Sequence, residues 1–248
     1  VGVRWTSYTA SGSGASRGVP FNASNSAAFW TWQGAVLFKP TENSTLYVSY
    51  ADSATPPGSS VGEGSDNISA SNGNYKPQQA RNYEVGAKTE LFGGGLLLTA
   101  ALYQTDRANI IDNDPIAGEL LVANKARMRG FELGATGKLG PVSLVAGYTL
   151  VDSAIRDGSA DDGNALPNTP RHNVAVTANW AVTPRLSLGG GAYGASGRYA
   201  DTANLIHAAG YVRFDANAAY QLTDRIGLRL NVQNIGDKRY IDSAFSDD

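Results

Sequence analysis

The sequence predicts an all-β protein, an antiparallel transmembrane β-barrel of which eleven strands are present. Three observations carry this. Apolar and polar residues alternate with period two through most of the chain. The connections between the alternating stretches run long, short, long, short without a break. Only 17% of the 248 residues are charged, while 29 are Gly and none is Cys, less charge than the ~25% of soluble domains and far more glycine than the ~7% average.

Taken in order, strands are expected near 1–9, 28–38, 45–53, 79–91, 95–107, 124–137, 142–155, 171–182, 185–197, 210–222 and 226–235. Long connections rich in Gly, Ser, Asn and Asp fall at 10–27, 54–78, 108–123, 156–170 and 198–209. The short ones between them carry turn residues: Lys39–Ser44, Phe92-Gly93-Gly94, Lys138–Pro141, Thr183-Pro184 and Thr223-Asp224-Arg225. The alternation is cleanest late in the chain. In 226–233 one parity is Ile226, Leu228, Leu230 and Val232, and the other is Gly227, Arg229, Asn231 and Gln233. Residues 212–222 and 173–182 repeat it.

Short turns on one side and long loops on the other describe a barrel with periplasmic turns and extracellular loops. A tilted strand needs about 9–11 residues to cross the hydrocarbon core, which fits these lengths. The apolar parity of the clean strands carries no charge, as lipid demands, since Lys or Arg at midplane costs ~2–4 kcal/mol. Sandwiches and propellers also alternate, but neither explains the long/short rule. Eleven strands are an odd number, and an open edge in lipid leaves backbone groups unsatisfied. The expectation is therefore a fragment, 1–248 being the C-terminal part of a larger barrel.

The same composition excludes other classes. A net charge of −2 without basic runs argues against a nucleic-acid partner. Absence of Cys removes disulfide scaffolds, Cys-ligated metals and thiol nucleophiles. No apolar run approaches the 18 residues of a membrane helix, and nothing at Val1 resembles a signal peptide, which is absent or removed.

One internal repeat supports the hairpin reading. Arg81-Asn82-Tyr83-Glu84-Val85-Gly86-Ala87 recurs as Arg129-Gly130-Phe131-Glu132-Leu133-Gly134-Ala135. Alternation puts Tyr83, Val85, Phe131 and Leu133 towards lipid and Glu84 and Glu132 in the lumen, with Arg81 and Arg129 near headgroup level.

The segment Asn234-Ile235-Gly236-Asp237-Lys238-Arg239-Tyr240, preceded by Leu228–Gln233, resembles the signature near the end of TonB-dependent receptors. Asn82–Lys88, Arg129–Leu133 and Leu166–His172 are similar to the siderophore branch of that family, and Tyr47–Gly58 to its catecholate type. The resemblance implies a 22-stranded, plugged barrel, of which these are about strands 11 to 21. The plug, the first barrel half and the last strand would lie outside this sequence. It further implies import of a ferric siderophore across the outer membrane of a Gram-negative bacterium, energised by the TonB–ExbB–ExbD complex through the absent N-terminal region. No catalytic step, no resident metal and no cofactor are expected, and lipopolysaccharide and outer-membrane lipid are the surrounding partners. Other readings are a receptor for hydroxamate siderophore, haem or cobalamin, or a barrel enzyme or adhesin.

A ferric tris-catecholate is an anion with flat rings, so cations beside aromatics suit it. The loop residues of this kind are Arg17, Tyr75, Arg198, Tyr199 and His207, taken as ligand-binding candidates. Arg4, Glu84, Lys88, Glu90, Glu132, Arg213, Asp215 and Arg229 fall on lumen parity. They suit either a wall that holds the plug and guides an anion or a ladder of cross-strand ion pairs. Trp30, Trp32, Trp180 and Tyr220 read as an interfacial girdle. Asp112-Asn113-Asp114 and Asp161-Asp162 sit in turn-forming sequence and read as turns rather than catalytic or calcium carboxylates. Gly12, Gly14 and Gly18 open no helix and read as a flexible loop.

Overall fold

The computed structural model describes residues 1–16, 19–56, 75–114 and 118–243, with 16, 19, 21, 111–114 and 118–122 described by backbone alone. Among the described residues there are thirteen strands: β1 Gly2–Ser16, β2 Val19–Thr41, β3 Ser44–Thr55, β4 Gln78–Leu91, β5 Leu96–Asp114, β6 Gly118–Leu139, β7 Val142–Ile155, β8 His172–Thr183, β9 Leu186–Ala195, β10 Arg198–Tyr199, β11 His207–Ala208, β12 Tyr211–Thr223 and β13 Ile226–Val232. Eleven of them form one antiparallel meander in the order β1-β2-β3-β4-β5-β6-β7-β8-β9-β12-β13, and β10 pairs with β11 separately. All eleven expected strands exist, in the expected order.

Two of the expected long loops are not loops. The ladder between β1 and β2 continues without a break from Gly2↔Gln33 to Ser16↔Val19, so most of 10–27, Gly12 and Gly14 included, is a β-ribbon. The second ribbon, β5 with β6, reaches Asp114↔Gly118 after a bulge at Ile110/Ile111. Residues 112–114, expected in a turn, thus end strand β5. Small and polar residues signal a turn only where the backbone lacks a partner. Beyond the membrane, antiparallel ribbons satisfy their hydrogen bonds in pairs whatever the side chains.

Register confirms the two faces. Tyr83, Val85, Leu102, Leu133 and Phe214 stand on the convex side, and the first four are cross-strand or near neighbours in one patch (Val85↔Leu102). Trp5 and Trp30 pack at 4.9 Å between centroids and continue through Trp32–Tyr50 and Tyr50–Tyr83 at 5.8 and 5.1 Å. Phe131, Tyr148 and His172 extend the belt over β6–β8. Trp180 and Tyr220 lie at the opposite strand ends and are exposed. From His172 to Trp180 is eight residues, roughly 27 Å of strand. A ~40° tilt turns that into roughly 20 Å along the normal, close to the ~25 Å apolar band of such barrels.

The concave face is polar, but ion pairs do not build it. Tyr47 donates to Glu84 (2.5 Å), Thr105 to Asn82 (2.8 Å) and Arg107 to Gln78 (3.0 Å). Lys88 sits 5.4 Å from the centre of the Tyr47 ring. Among the eight wall charges singled out in the sequence, the one ion pair between described residues is Arg213–Asp215 at 3.0 Å. Among the described residues the shortest ion pair stands on the outer rim instead, where Arg127 meets Asp106 at 2.6 Å. Register sets Asp52, Arg81, Asp106 and Arg127 side by side there, an alternation of sign that favours this pairing.

Candidate functional site

The extracellular end over β5–β13 is one connected body. Ile110, Ala123, Ala126, Ile155 and Leu166 form a small apolar core beneath the 156–171 segment, with Ile155 1% exposed. Asp157 accepts from the backbone N–H of Ser159 (3.1 Å) and of Asn124 on β6 (3.1 Å). The Ser159 hydroxyl, followed by these backbone bonds, holds its carboxyl below the usual carboxylate range. Asp162 takes the N–H of Gly158 at 2.7 Å, so Asp161-Asp162 belongs to a turn, as expected. The next connection is zipped onto this one. Asn204 donates to the carbonyl of Ala165 (2.9 Å) and accepts its N–H (2.8 Å), Asn164 donates to the Thr202 carbonyl (2.9 Å), and Asn168 N–H reaches the Tyr199 carbonyl (2.8 Å).

Within that second connection, β10 and β11 place Tyr199 opposite His207, ring centres 5.5 Å apart and edge to face. Arg198 beside them is not a loop cation turned to solvent, as expected from sequence. It is 6% exposed and is the one buried charged side chain among the described residues. Its guanidinium lies 5.7 Å over Tyr211 and donates to the carbonyls of Asp242 (2.5 Å) and Ile241 (3.3 Å). A buried guanidinium needs acceptors; backbone carbonyls supply them to its two terminal nitrogens, while Nε has none, so Arg198 is a strut.

What Arg198 holds is the segment 234–243, which follows β13. Asn234 and Asp237 take positive φ (53° and 46°), and the Asn234 side chain bonds both the N–H (2.9 Å) and the carbonyl (3.1 Å) of Lys238. Asn tolerates this conformation better than most residues, which gives the family-like Asn and Asp a physical reason. The chain then turns back across the lumen side of β12. Asn234 N–H donates to Asp215 (2.8 Å), Tyr240 stacks on Tyr211 at 4.1 Å and 20°, Tyr211 donates to Asp242 (2.7 Å), and Arg213 donates to the Tyr240 hydroxyl (3.1 Å). Arg213 also lies 4.8 Å over Tyr193.

Of the expected ligand contacts, the structure therefore unites Arg198, Tyr199 and His207. Tyr75 stands apart, its carbonyl accepting from Asn25 of the β1–β2 ribbon at 2.8 Å. Arg17 lies outside the described residues. The cluster Tyr193–Tyr211–Arg213–Tyr240 was not singled out from sequence as one site. Period-two parity exposed Arg213 and Asp215, but only the return of 234–243 onto β12 brings Tyr240 to them. Among the described residues no group of three His, Cys, Asp or Glu side chains is placed to hold a metal.

Comparison with known proteins matches this architecture. The family described as TonB dependent receptor-like, beta-barrel, covers residues 1–235. The probable TonB-dependent siderophore receptor PiuA of Acinetobacter baumannii is 34% identical over 264 aligned residues, covering 99% of this chain and 35% of that protein. The catecholate siderophore receptor Fiu of Escherichia coli K12 is 32% identical, covering 93% of this chain and 32% of that protein. The crystal structure of PiuA superposes with a TM-score of 0.84 at 33% identity, over 98% of this chain and 37% of that one. The closed form of Fiu gives 0.78 at 26%, again over 98% of this chain and 38% of that one. The chain thus spans about a third of the length of the relatives it matches. With the meander, the two-faced wall and the Asn234–Tyr240 signature all accounted for, this chain belongs to the TonB-dependent receptor β-barrel family.

Proposed function

We propose that the chain is the C-terminal part of an outer-membrane receptor that imports a ferric siderophore of the catecholate type. The observation that carries the reading is a likeness spanning nearly the whole chain, to receptors named for siderophores and, in Fiu, for catecholates. The geometry supports it. An apolar belt faces lipid, a polar concave wall faces a lumen, and an extracellular rim carries Tyr199 and His207 on a braced two-residue ribbon. Residues beyond this chain would supply the plug, the remaining barrel strands and the contact with TonB–ExbB–ExbD, while Glu84 and Glu132 of the concave wall would face that plug. Import then needs no covalent chemistry from the wall and no resident cofactor, and the ferric siderophore is cargo. On the outer rim, the arginines Arg81, Arg127 and Arg129 stand above the aromatic belt at the level of lipopolysaccharide phosphates.

The test is binding of ferric tris-catecholate and ferric trihydroxamate complexes to the complete receptor, followed by the Tyr199→Ala/His207→Ala double variant. Preference for the catecholate, weakened about fivefold or more in the variant, supports the reading. A receptor indifferent to both complexes retires it, and preference for hydroxamate, haem or cobalamin moves the chain to that branch.

A further inference from the structure

The outward face of the wall beneath the extracellular rim is not smooth. On β2–β5, Val36, Val48, Val85 and Leu102 line a groove of about 610 Å3, with Tyr50, Tyr83 and Gln104 along its extracellular side. On β4–β8, Ala87, Ala100, Ala135 and Ala146 line a second of about 440 Å3, bordered by Leu133 and Tyr148. The two adjoin on β4 and β5, and their centres lie roughly three strands, ~14 Å, apart. We propose that these grooves seat acyl chains of a single lipopolysaccharide molecule, whose lipid A phosphates rest on Lys125, Arg127 and Arg129 of β6 and Arg81 of β4. The inference rests on the outer-membrane placement above, not on the cargo, and adds one specific lipid and its seat.

Three observations select this occupant. The first is charge. Period two carries Lys125, Arg127 and Arg129 up the outward face of β6, above Phe131 and Leu133, over roughly 13 Å of strand. Arg81 stands in the same cross-strand row as Arg127, with Asp106 between them. Arg156, just after β7, donates its N–H to the Lys125 carbonyl (2.9 Å), which sets a further cation beside it, 3.9 Å from Asp162. Adjoining like charges are destabilising on their own, and a phosphate between them removes that cost. Among the described residues the acids on the outward face of β3–β7 are Asp52, Asp106 and Asp152. Asp106 accepts from Arg127 (2.6 Å) and Gln104 (3.0 Å), and Asp52 accepts the Trp32 N–H (2.5 Å). Asp152 stands opposite Arg129 in the register, but Arg129 turns its Nε to Gln104 (2.8 Å). Both Arg127 and Arg129 are thus held to the wall by Nε, and the terminal nitrogens of a guanidinium are a pair that fits a phosphate. The second observation is the spread of the grooves. A glycerophospholipid carries its chains on adjacent carbons, whereas the acylated disaccharide of lipid A spreads them far enough to enter both. The third is position. Strands that complete the barrel join at the β1 and β13 edges and a plug fills the lumen, so neither covers the outward face of β3–β8.

The experiment uses the complete receptor in detergent, its folding checked by heat-modifiable migration on gels, and native mass spectrometry. The probes are bisphosphorylated hexa-acyl lipid A, its dephosphorylated form and phosphatidylethanolamine. Wild type is expected to retain one lipid A per receptor, about fivefold or more over either of the other lipids. Lys125→Gln/Arg129→Gln, which leaves the Arg127–Asp106 pair intact, is expected to weaken that retention about fivefold. Ala100→Phe/Ala135→Phe fills the second groove without changing charge and is expected to weaken it comparably. Arg81→Gln, should a double variant fold poorly, is expected to weaken it about threefold. Equal retention of lipid A and phosphatidylethanolamine by wild type, or lipid A retention within about twofold of wild type in the folded variants, overturns the seat and leaves the grooves to bulk lipid. Ferric tris-catecholate binding by the same wild-type sample is scored separately: its absence overturns the siderophore reading and leaves the lipid seat standing.

Discussion

Tyr47 lies across Gly86 on the neighbouring strand, so that a Cβ at residue 86 would stand 2.5 Å from the ring. This close approach is what lets the phenol reach Glu84. Gly86, in the first copy of the internal repeat, is therefore a seat for a lumen tyrosine, whereas Gly134 in the second copy faces Thr99. Substitution Gly86→Val is expected to cost about 1–3 kcal/mol of barrel stability through overpacking, measured by urea unfolding in lipid. Tyr47→Ala in the same chain is expected to return part of that loss; no coupling between the two would mean the ring has another place to go.

The convex face is predicted to lie in lipid. Leu102 is 60% exposed there, in register with Val85 and Phe131. Leu102→Arg should cost roughly 2–4 kcal/mol if the residue sits near midplane. Membrane refolding yields check this, and a neutral result would place Leu102 outside the apolar band.

Arg198→Ala removes a strut rather than a surface charge. Loss of buried, charge-assisted hydrogen bonds costs about 1.5–3 kcal/mol, here felt locally. The 238–243 segment is expected to become protease-sensitive, and Arg198→Lys should not rescue it, because one ammonium lacks the planar fork that reaches both carbonyls.

Leu166 is 4% exposed against Ile110 and Ile155. Leu166→Ala is expected to destabilise the 156–171 segment by about 2–5 kcal/mol, seen as faster amide exchange at Ser159 and Asn164 with β8 unchanged.

The Asp157 turn carries a pH signature. Its carboxyl is held below the usual range by hydrogen bonds to Ser159, with the Asn124 amide adding to the effect. A depressed carboxylate contributes stability that is present above its unfolded value, ~3.9, and is lost as pH falls through the lower folded value. Proteolysis of the turn should thus rise below about pH 4, and Asp157→Asn should flatten the profile.

How much of this was legible beforehand divides along one physical line. Inside the membrane, lipid imposes alternation, and Val85, Leu133 and Phe214 are assigned to their face from parity alone. Above the membrane that constraint vanishes. The Ser, Gly and Ala run of 10–16 looks like a loop, yet it is a strand paired residue by residue with 19–25. From sequence the candidate site is a set of isolated cations and aromatics. Tyr199 and His207 do meet, but the strut role of Arg198 depends on carbonyls 43 and 44 residues away, which no local pattern encodes.

The reciprocal bonds between Asn204 and Ala165, with Asn168 on Tyr199, carry a consequence for protein engineering. Two connections that are separate in sequence behave as one transplantable part. A chimera that exchanges 156–171 between relatives without 196–210 breaks the seam on both sides, whereas exchanging the pair together keeps it whole. Insertions that vary length in one connection should accordingly be tolerated only with a matching change in the other.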